Sequence, residues 1–306
     1  MHMSIVEKSF KNGEVIVKEG DSGNSFFQII DGSALVYAES TGKDDQIKLA
    51  TLEPGAFFGE MAILEAYPRS ASVIAKGNVT AIEIPGDELN SFFEEDPNRI
   101  NDLMMHLANG IEAMTVDYEE AKNLLSELRK SEDAKKNKSL FAKIKKHIDM
   151  YQSNKNTISE PDTKELSAAI AALKDDGYGS FKAYRKGMIL FKEGEIGDTM
   201  YILKNGTVGM YTNYRKREEE KVGEAQAVTF IGEIGMITDK PRKASAVSES
   251  DDTNVEIIYK SDLETIFRSQ PEKIILILRY LSYRLRRLNN DFLGACKEIT
   301  EIYNKK

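Results

Sequence analysis

Apolar residues fall along this chain in two rhythms, and each rhythm is used twice. The first is short and strand-like. Runs such as "GEVIVKEG" (13–20), "SFFQII" (25–30) and "SALVYAE" (33–39) are rich in Val, Ile, Tyr and Phe and are separated by Gly, Asp and Asn, the composition of short strands joined by turns. The second rhythm begins after Pro97. Apolar positions run Ile100, Met104, Leu107, Ile111, Met114, Tyr118, Ala121, Leu125 and Leu128, in alternating steps of four and three. That is a heptad seam on a helix of about 30 residues, about 45 Å long. After Pro271 the same steps return through Ile274, Leu278, Leu281, Leu285, Leu288, Phe292, Ala295, Ile299 and Ile302.

The strand-like part is an internal repeat. "VKEGDSGNSFFQIIDGSALVY" (17–37) matches "FKEGEIGDTMYILKNGTVGMY" (191–211), a shift of 174 that carries Gly20 onto Gly194 and Gly32 onto Gly206. "FFGEMAILEAYPRSASV" (57–73) matches "FIGEIGMITDKPRKASAV" (230–247), carrying Glu60 onto Glu233 and Arg69 onto Arg242 at a shift of 173. The one-residue slip places a deletion in the variable loop near 38–55. Gly20, Gly32 and Gly55 are expected at turns, with positive φ. About eight short strands per copy predict a barrel or jelly roll, so the expected class is α+β, mainly β. Domains are read as 1–130 and 178–306, each a barrel with a long C-terminal helix, joined by a helical connector at 131–177. In the connector, Leu140, Ile144, Ile148 and Tyr151 lie on one helical face, and Asp162 with Glu165 has the pattern of a capping box behind Pro161. Each seam outruns any barrel it could cover. The long helices are therefore expected to pair, the first against the second within one chain as a coiled-coil-like pseudo-dimer, with a homodimer through either seam as the competitor.

Composition narrows the class. The chain has 306 residues, 41% of them hydrophobic, and a net charge of -8. That is enough apolar mass for two cores and a poor match for nucleic-acid phosphates. The basic stretch 129–155, with nine Lys/Arg against three Asp/Glu, reads as a solvated helical connector. The single cysteine, Cys296, leaves no disulfide and no cysteine metal cage, and His2, His106 and His147 lie in no metal-binding spacing. No run of 18 apolar residues and no secretory signal is visible. A cytoplasmic protein with no membrane or nucleic-acid partner is expected. Catalytic triad spacing, a P-loop, a metal cluster and paired carboxylates with a plausible pocket are all missing from the sequence, so no enzyme is expected and no cofactor beyond a bound ligand.

The repeated cassette carries the chemistry. A glycine before Glu60 lets backbone approach a ligand closely. Residues 60–66 can form a short helical turn with free N–H groups. Arg69 can add a charge-assisted bond to a phosphate, and Ser70 a hydroxyl. Glu60 is an acceptor only, suited to a hydroxyl, and Ile63 and Leu64 would wall the polar groups from water. A carboxylate for a sugar hydroxyl and a guanidinium for a phosphate describe a ribose phosphate. A buried Glu–Arg ion pair that only stabilises the domain is the alternative, and the recurrence of the nine-residue spacing weighs against it.

Each copy resembles a cyclic nucleotide-binding domain, the module of the catabolite activator protein and of protein kinase A regulatory subunits. The family pattern F-x-G-E-x-A/G, then R-S/T/A-A, is met by Phe57, Gly59, Glu60, Ala62, Arg69, Ser70 and Ala71, and by Phe230, Gly232, Glu233, Gly235, Arg242, Lys243 and Ala244. "KEGDSG" with "IIDGSA" and "KEGEIG" with "LKNGTV" also agree. The resemblance implies that Glu60 and Glu233 bind a ribose 2′-hydroxyl and that Arg69 and Arg242 bind the cyclic phosphate. Backbone around Met61, Ala62, Ile234 and Gly235 and the Ser70 hydroxyl meet the same phosphate. The second copy departs: "GEAQAVTFIGE" lacks the Pro-Gly of "LEPGAFFGE", and Lys243 replaces Ser70. Neither the helix-turn-helix of the bacterial family after a long helix nor a pseudosubstrate-like segment before the first copy is expected. "RKAS" at 242–245 resembles a kinase target but lies inside the cassette. The expected function is a non-catalytic sensor of a cyclic mononucleotide, with cyclic AMP taken from its frequency in the family. An interaction or structural protein with one or both sites degenerate, acting through an unknown protein partner, is the alternative.

Overall fold

The computed structural model describes residues 6–38, 47–65, 68–130, 138–154, 163–173 and 180–305. It is a mixed helix and sheet protein whose strand pairs are antiparallel. The first copy contains β1 (Val6–Phe10), β2 (Val15–Val17), β3 (Ser25–Ala38), β4 (Ile47–Leu52), β5 (Phe57–Phe58), α1 (Glu60–Glu65), β6 (Ser72–Pro85), α2 (Leu89–Glu95) and α3 (Asn98–Lys130). Next come α4 (Lys138–Asn154) and α5 (Thr163–Ala171). The second copy contains β7 (Ser180–Tyr184), β8 (Ile189–Phe191), β9 (Thr199–Asn205), β10 (Thr207–Thr212), β11 (Glu220–Gln226), β12 (Thr229–Ile231), α6 (Glu233–Thr238), β13 (Ser245–Ser248), β14 (Thr253–Tyr259), α7 (Leu263–Ser269) and α8 (Pro271–Lys305).

Alternation builds both cores. Along β6, Val73, Ala75, Val79 and Ala81 are buried in one two-residue phase that is kept across the exposed Lys76-Gly77-Asn78, and the phase changes only before the buried Ile84. Val73, Ala75, Val79 and Ala81 join Val17, Phe27, Ile29, Ala34 and Phe58, with Phe27 stacked on Phe58 at 5.1 Å. In the second copy two four-stranded sheets, β11-β10-β13-β8 and β12-β9-β14-β7, enclose Tyr184, Leu190, Tyr201, Leu203, Val208, Ile231, Ala246 and Val255. Every one of those strands except β11 contributes a buried residue, and β11 packs the half-buried Ala225 against them. The first copy is one six-stranded sheet, because β3 and β6 run unbroken through both layers with bulges at Asp31. Strands that change layers through bulges are a recognised way to fold a sheet over itself. Gly20, Gly32 and Gly55 all have positive φ, as expected at their turns.

The seam positions of α3 and α8 are buried or half-buried. The buried face is wider than a two-helix seam, because Leu103, Ala108, Leu124, Leu276, Ile277, Leu293 and Cys296 are buried beside it. A stripe that wide faces more than one neighbour. One cluster unites Ala121, Leu124, Leu125 and Leu128 of α3, Ile144 of α4, and Phe292, Leu293, Ala295, Cys296 and Ile299 of α8. Ile148 and Tyr151 pack on it, as their helical face predicts. The Leu140 side chain and the Asp162 cap lie outside the described residues.

The chain forms two compact units. One comprises Met1–Arg99, Asn109–Pro161 and Leu281–Lys306, and the other Ile100–Ala108 and Asp162–Tyr280. Among the described residues no helix is long and apolar enough to cross a membrane.

Candidate functional site

In the first copy the chain leaves β5 through Gly59, whose φ is +80°, and enters α1 at Glu60. A side chain at Gly59 would be strained at that φ, and its Cβ would lie 2.4 Å from Nη1 of Arg69. Glu60 is 5% exposed and Arg69 8% exposed. The Arg69 backbone is pinned by two bonds, its N–H donating to Asp21 O at 2.9 Å and its carbonyl accepting from Gly20 N at 2.9 Å. The guanidinium then donates from Nη1 to Gly59 O at 2.6 Å and from Nη2 to Ser25 O at 2.5 Å. Ser25 Oγ in turn donates to Glu83 Oε1 at 2.8 Å, and Glu83 pairs with Lys8. Burial pulls the guanidinium below the ordinary arginine value, and the carboxylates of Glu60, Glu83 and Asp21 oppose that through space.

The second copy repeats the arrangement. Arg242 is pinned by Glu195 O at 2.8 Å and Gly194 N at 2.9 Å. Its Nη1 donates to Gly232 O and its Nη2 to Thr199 O at 2.5 Å. The guanidinium also sits 4.4 Å over the Phe191 ring, a cation–π contact. Its Nε is buried without a hydrogen-bond acceptor among the described residues. Burial again pulls the group down, here against Tyr201, Asp198 and Glu195.

The structure thus gathers Gly59, Glu60 and Arg69, and separately Gly232, Glu233 and Arg242. Gly235 borders the second guanidinium, since a Cβ there would lie 3.0 Å from Arg242 Nη1. Ala62 is buried, Met61 and Ile234 are half-buried, and Ser70 and Lys243 are exposed. Ser245 of "RKAS" is 4% exposed, and its hydroxyl accepts from Glu193 N at 3.0 Å. The motif is therefore closed to a kinase in this fold.

Four participants were not singled out from the sequence. Gly23 and Gly197 leave the space each guanidinium fills, since a Cβ at either would lie 2.2 Å from the arginine Cζ. Ser25 and Thr199 supply the second carbonyl. Both pairs are related by the same shift of 174, so the repeat alignment contains them. What it does not contain is the folding of loop 20–25 over Arg69.

Chemically, each site holds a fully charged guanidinium on backbone carbonyls, with a buried carboxylate at the start of the adjacent helix. Two of the five guanidinium N–H groups meet the carbonyls. Carbonyl dipoles soften the burial of the charge without cancelling it, which leaves an anion-recognising centre beside an acceptor-only group.

The family described as cyclic nucleotide-binding domain matches residues 7–96 and 181–270. The chain is 24% identical to a "cAMP-dependent protein kinase regulatory subunit" of Dictyostelium discoideum, over 80% of this chain and 61% of the relative. It is 25% identical to a protein of the same description from Aspergillus fumigatus, over 81% of this chain and 49% of that one. It is 22% identical to a "cGMP-dependent protein kinase" of Plasmodium berghei, over 78% of this chain and 21% of that one. The chain thus spans less than two thirds of each of these relatives. The matched segments cover more than half of the chain, and each encloses one complete glycine–glutamate–arginine site: the protein belongs to the cyclic nucleotide-binding domain family.

Proposed function

We propose that this chain is a non-catalytic regulatory protein that binds a cyclic mononucleotide, cyclic AMP in the first instance, at two sites. The observation that carries the reading is the duplicated, carbonyl-held guanidinium beside a buried glutamate. Arg69 and Arg242 take the cyclic phosphate, and Glu60 and Glu233 take the ribose 2′-hydroxyl. Backbone amides around Met61, Ala62, Ile234 and Gly235 complete the phosphate cradle, with Ser70 at the first site and Lys243 at the second. The long helices pair as a coiled-coil-like pseudo-dimer and carry the change in occupancy to a protein partner. For that output the two helix arrangements must differ in nucleotide affinity. Relatives described as cAMP- and cGMP-dependent support either base.

Isothermal titration of the full chain with cyclic AMP and cyclic GMP tests the proposal. Two molecules bound per chain are expected. No heat and no thermal stabilisation with either nucleotide at about 1 mM would reject a site of even weak affinity.

A second reading has a specific observation behind it. The second copy lacks the Pro-Gly approach, carries Lys243 in place of Ser70, and leaves Arg242 Nε without an acceptor among the described residues. If that copy serves only to bind protein, the titration ends at one nucleotide per chain.

A further inference from the structure

Glu65 is the last residue of α1, and its carboxylate is held by the last helix of the chain. One oxygen accepts from Ser282 Oγ and the other from Arg286 Nε at 2.6 Å, across 217 and 221 residues of sequence. The ion pair is almost dry, with side-chain exposures of 6% and 7%, and Ser282 is fully buried. All three residues belong to one compact unit. Burial pushes the Glu65 carboxyl up, Arg286 and Ser282 pull it back, and Glu60 pushes it further up. The two glutamates of the cassette therefore feel one another.

The contact is peculiar to the first copy. At the shift of 173 the counterpart of Glu65 is Thr238, whose hydroxyl donates to Ile234 O inside its own helix. At the shift of 174 the counterparts of Ser282 and Arg286 are Ala108 and Glu112. A device inherited with the barrel would appear twice. Net stability does not explain it either, because a buried ion pair contributes little beyond what apolar side chains of the same size would. What the pair does fix is direction. Glu60 and Glu65 are the two ends of one six-residue helix, so an anchor at Glu65 sets how Glu60 and the amides of Met61 and Ala62 are presented.

We infer that Arg286 and Ser282 are positioning residues for the first cassette, so that the first site is complete only with α8 in place. This rests on reading the cassette as a nucleotide site. The anchoring can nevertheless be measured without any nucleotide.

Hydrogen exchange is followed by mass spectrometry on the full ligand-free chain and on R286M, R286K and S282A. Exchange at residues 60–65 should rise about tenfold in R286M and about threefold in S282A, with residues 233–238 unchanged. R286K should restore part of the protection. Titration with cyclic AMP should then show the first site weakened about tenfold in R286M, a difference of about 1.4 kcal/mol, and the second site unaltered. Unchanged exchange at 60–65 in the variants overturns the inference, as does an equal rise at 233–238, which would mean general loosening. If exchange behaves as expected but the parent chain binds no cyclic nucleotide, the anchoring stands and the nucleotide reading fails. S282A removes only a hydroxyl, so the test survives if R286M does not fold.

Discussion

In the second copy, Lys273 in the first turn of α8 reaches Glu256 on β14 at 2.6 Å, and both side chains are 1% exposed. Lys204 approaches the other carboxylate oxygen at 3.1 Å. In the first copy the positions at a shift of 174 hold Arg99, Ile82 and Ile30, and the strand registers agree, with Gln28 opposite Ile82 and Ile202 opposite Glu256. Arg99 instead stays local, donating to Phe92 O at 2.8 Å, pairing with Glu95 at 3.3 Å and covering the Phe92 ring. The two arginine sites are alike almost atom for atom, while the attachments of the long helices are not. Duplication has kept the grip of backbone carbonyls on each arginine and has let the side chains that tie helix to barrel diverge.

The largest test of that contrast is at the helix starts. Lys273→Met removes the buried partner of Glu256 and leaves its carboxylate, among the described residues, to the half-exposed Lys204 alone, which should cost about 3 kcal/mol of unfolding free energy in urea. Arg99→Met breaks a partly exposed pair and should cost about 1 kcal/mol. Equal losses would erase the contrast. Next come the guanidinium groups. Arg69→Ala and Arg242→Ala should each weaken cyclic AMP at its own site about a hundredfold, about 2.7 kcal/mol, and each should leave one competent site in titration. If Arg242→Ala leaves the binding isotherm unaltered, the copies have also diverged in ligand chemistry. Smaller again is Gly23→Ala against Gly197→Ala. Each new methyl displaces a guanidinium tip that can yield, so affinity at the matching site should fall about tenfold, judged by the same titration.

The smallest effect near neutral pH concerns Cys296, whose counterpart in α3 is Lys122, an exposed residue over the Tyr118 ring. Burial pushes the Cys296 thiol up from 9.0 to about 12. The folded state thus holds the thiol proton more tightly than the unfolded one. That contribution is fully present below about pH 9 and is lost as pH rises towards 12. A thiol reagent at pH 8 should label the native chain only as it unfolds. Rapid labelling without unfolding would show that α8 is no more enclosed at this position than α3.

Much of this was legible in the sequence, because repeated patterns carry it. The strand alternation, the paired Gly-Glu and Arg positions and the heptad steps are all local in sequence. Ser25, Gly23 and Glu83 escaped notice because they reach Arg69 only after loop 20–25 folds over it. The Glu65–Arg286 pair escaped for a stronger reason, since no periodicity links residues 221 apart. Glu256 was hidden by a register change. The shift is 173 at the cassette and 174 again at the long helix, so one residue enters the turn between β13 and β14. The width of the buried helical faces was missed because a seam of fours and threes describes one partner only.

The carbonyl grip on Arg69 has a consequence for which molecules the first site admits. One guanidinium is set among the carboxylates of Glu60, Glu83 and Asp21, so each negative charge a ligand carries beyond the first meets repulsion with no further cation to offset it. A phosphodiester ring carries one. A phosphomonoester at neutral pH carries about 1.5 to 2, and the excess falls against Glu60. On the proposed reading, opening the ring of the bound nucleotide would eject it by charge alone, and the linear product, however abundant, would be a poor competitor.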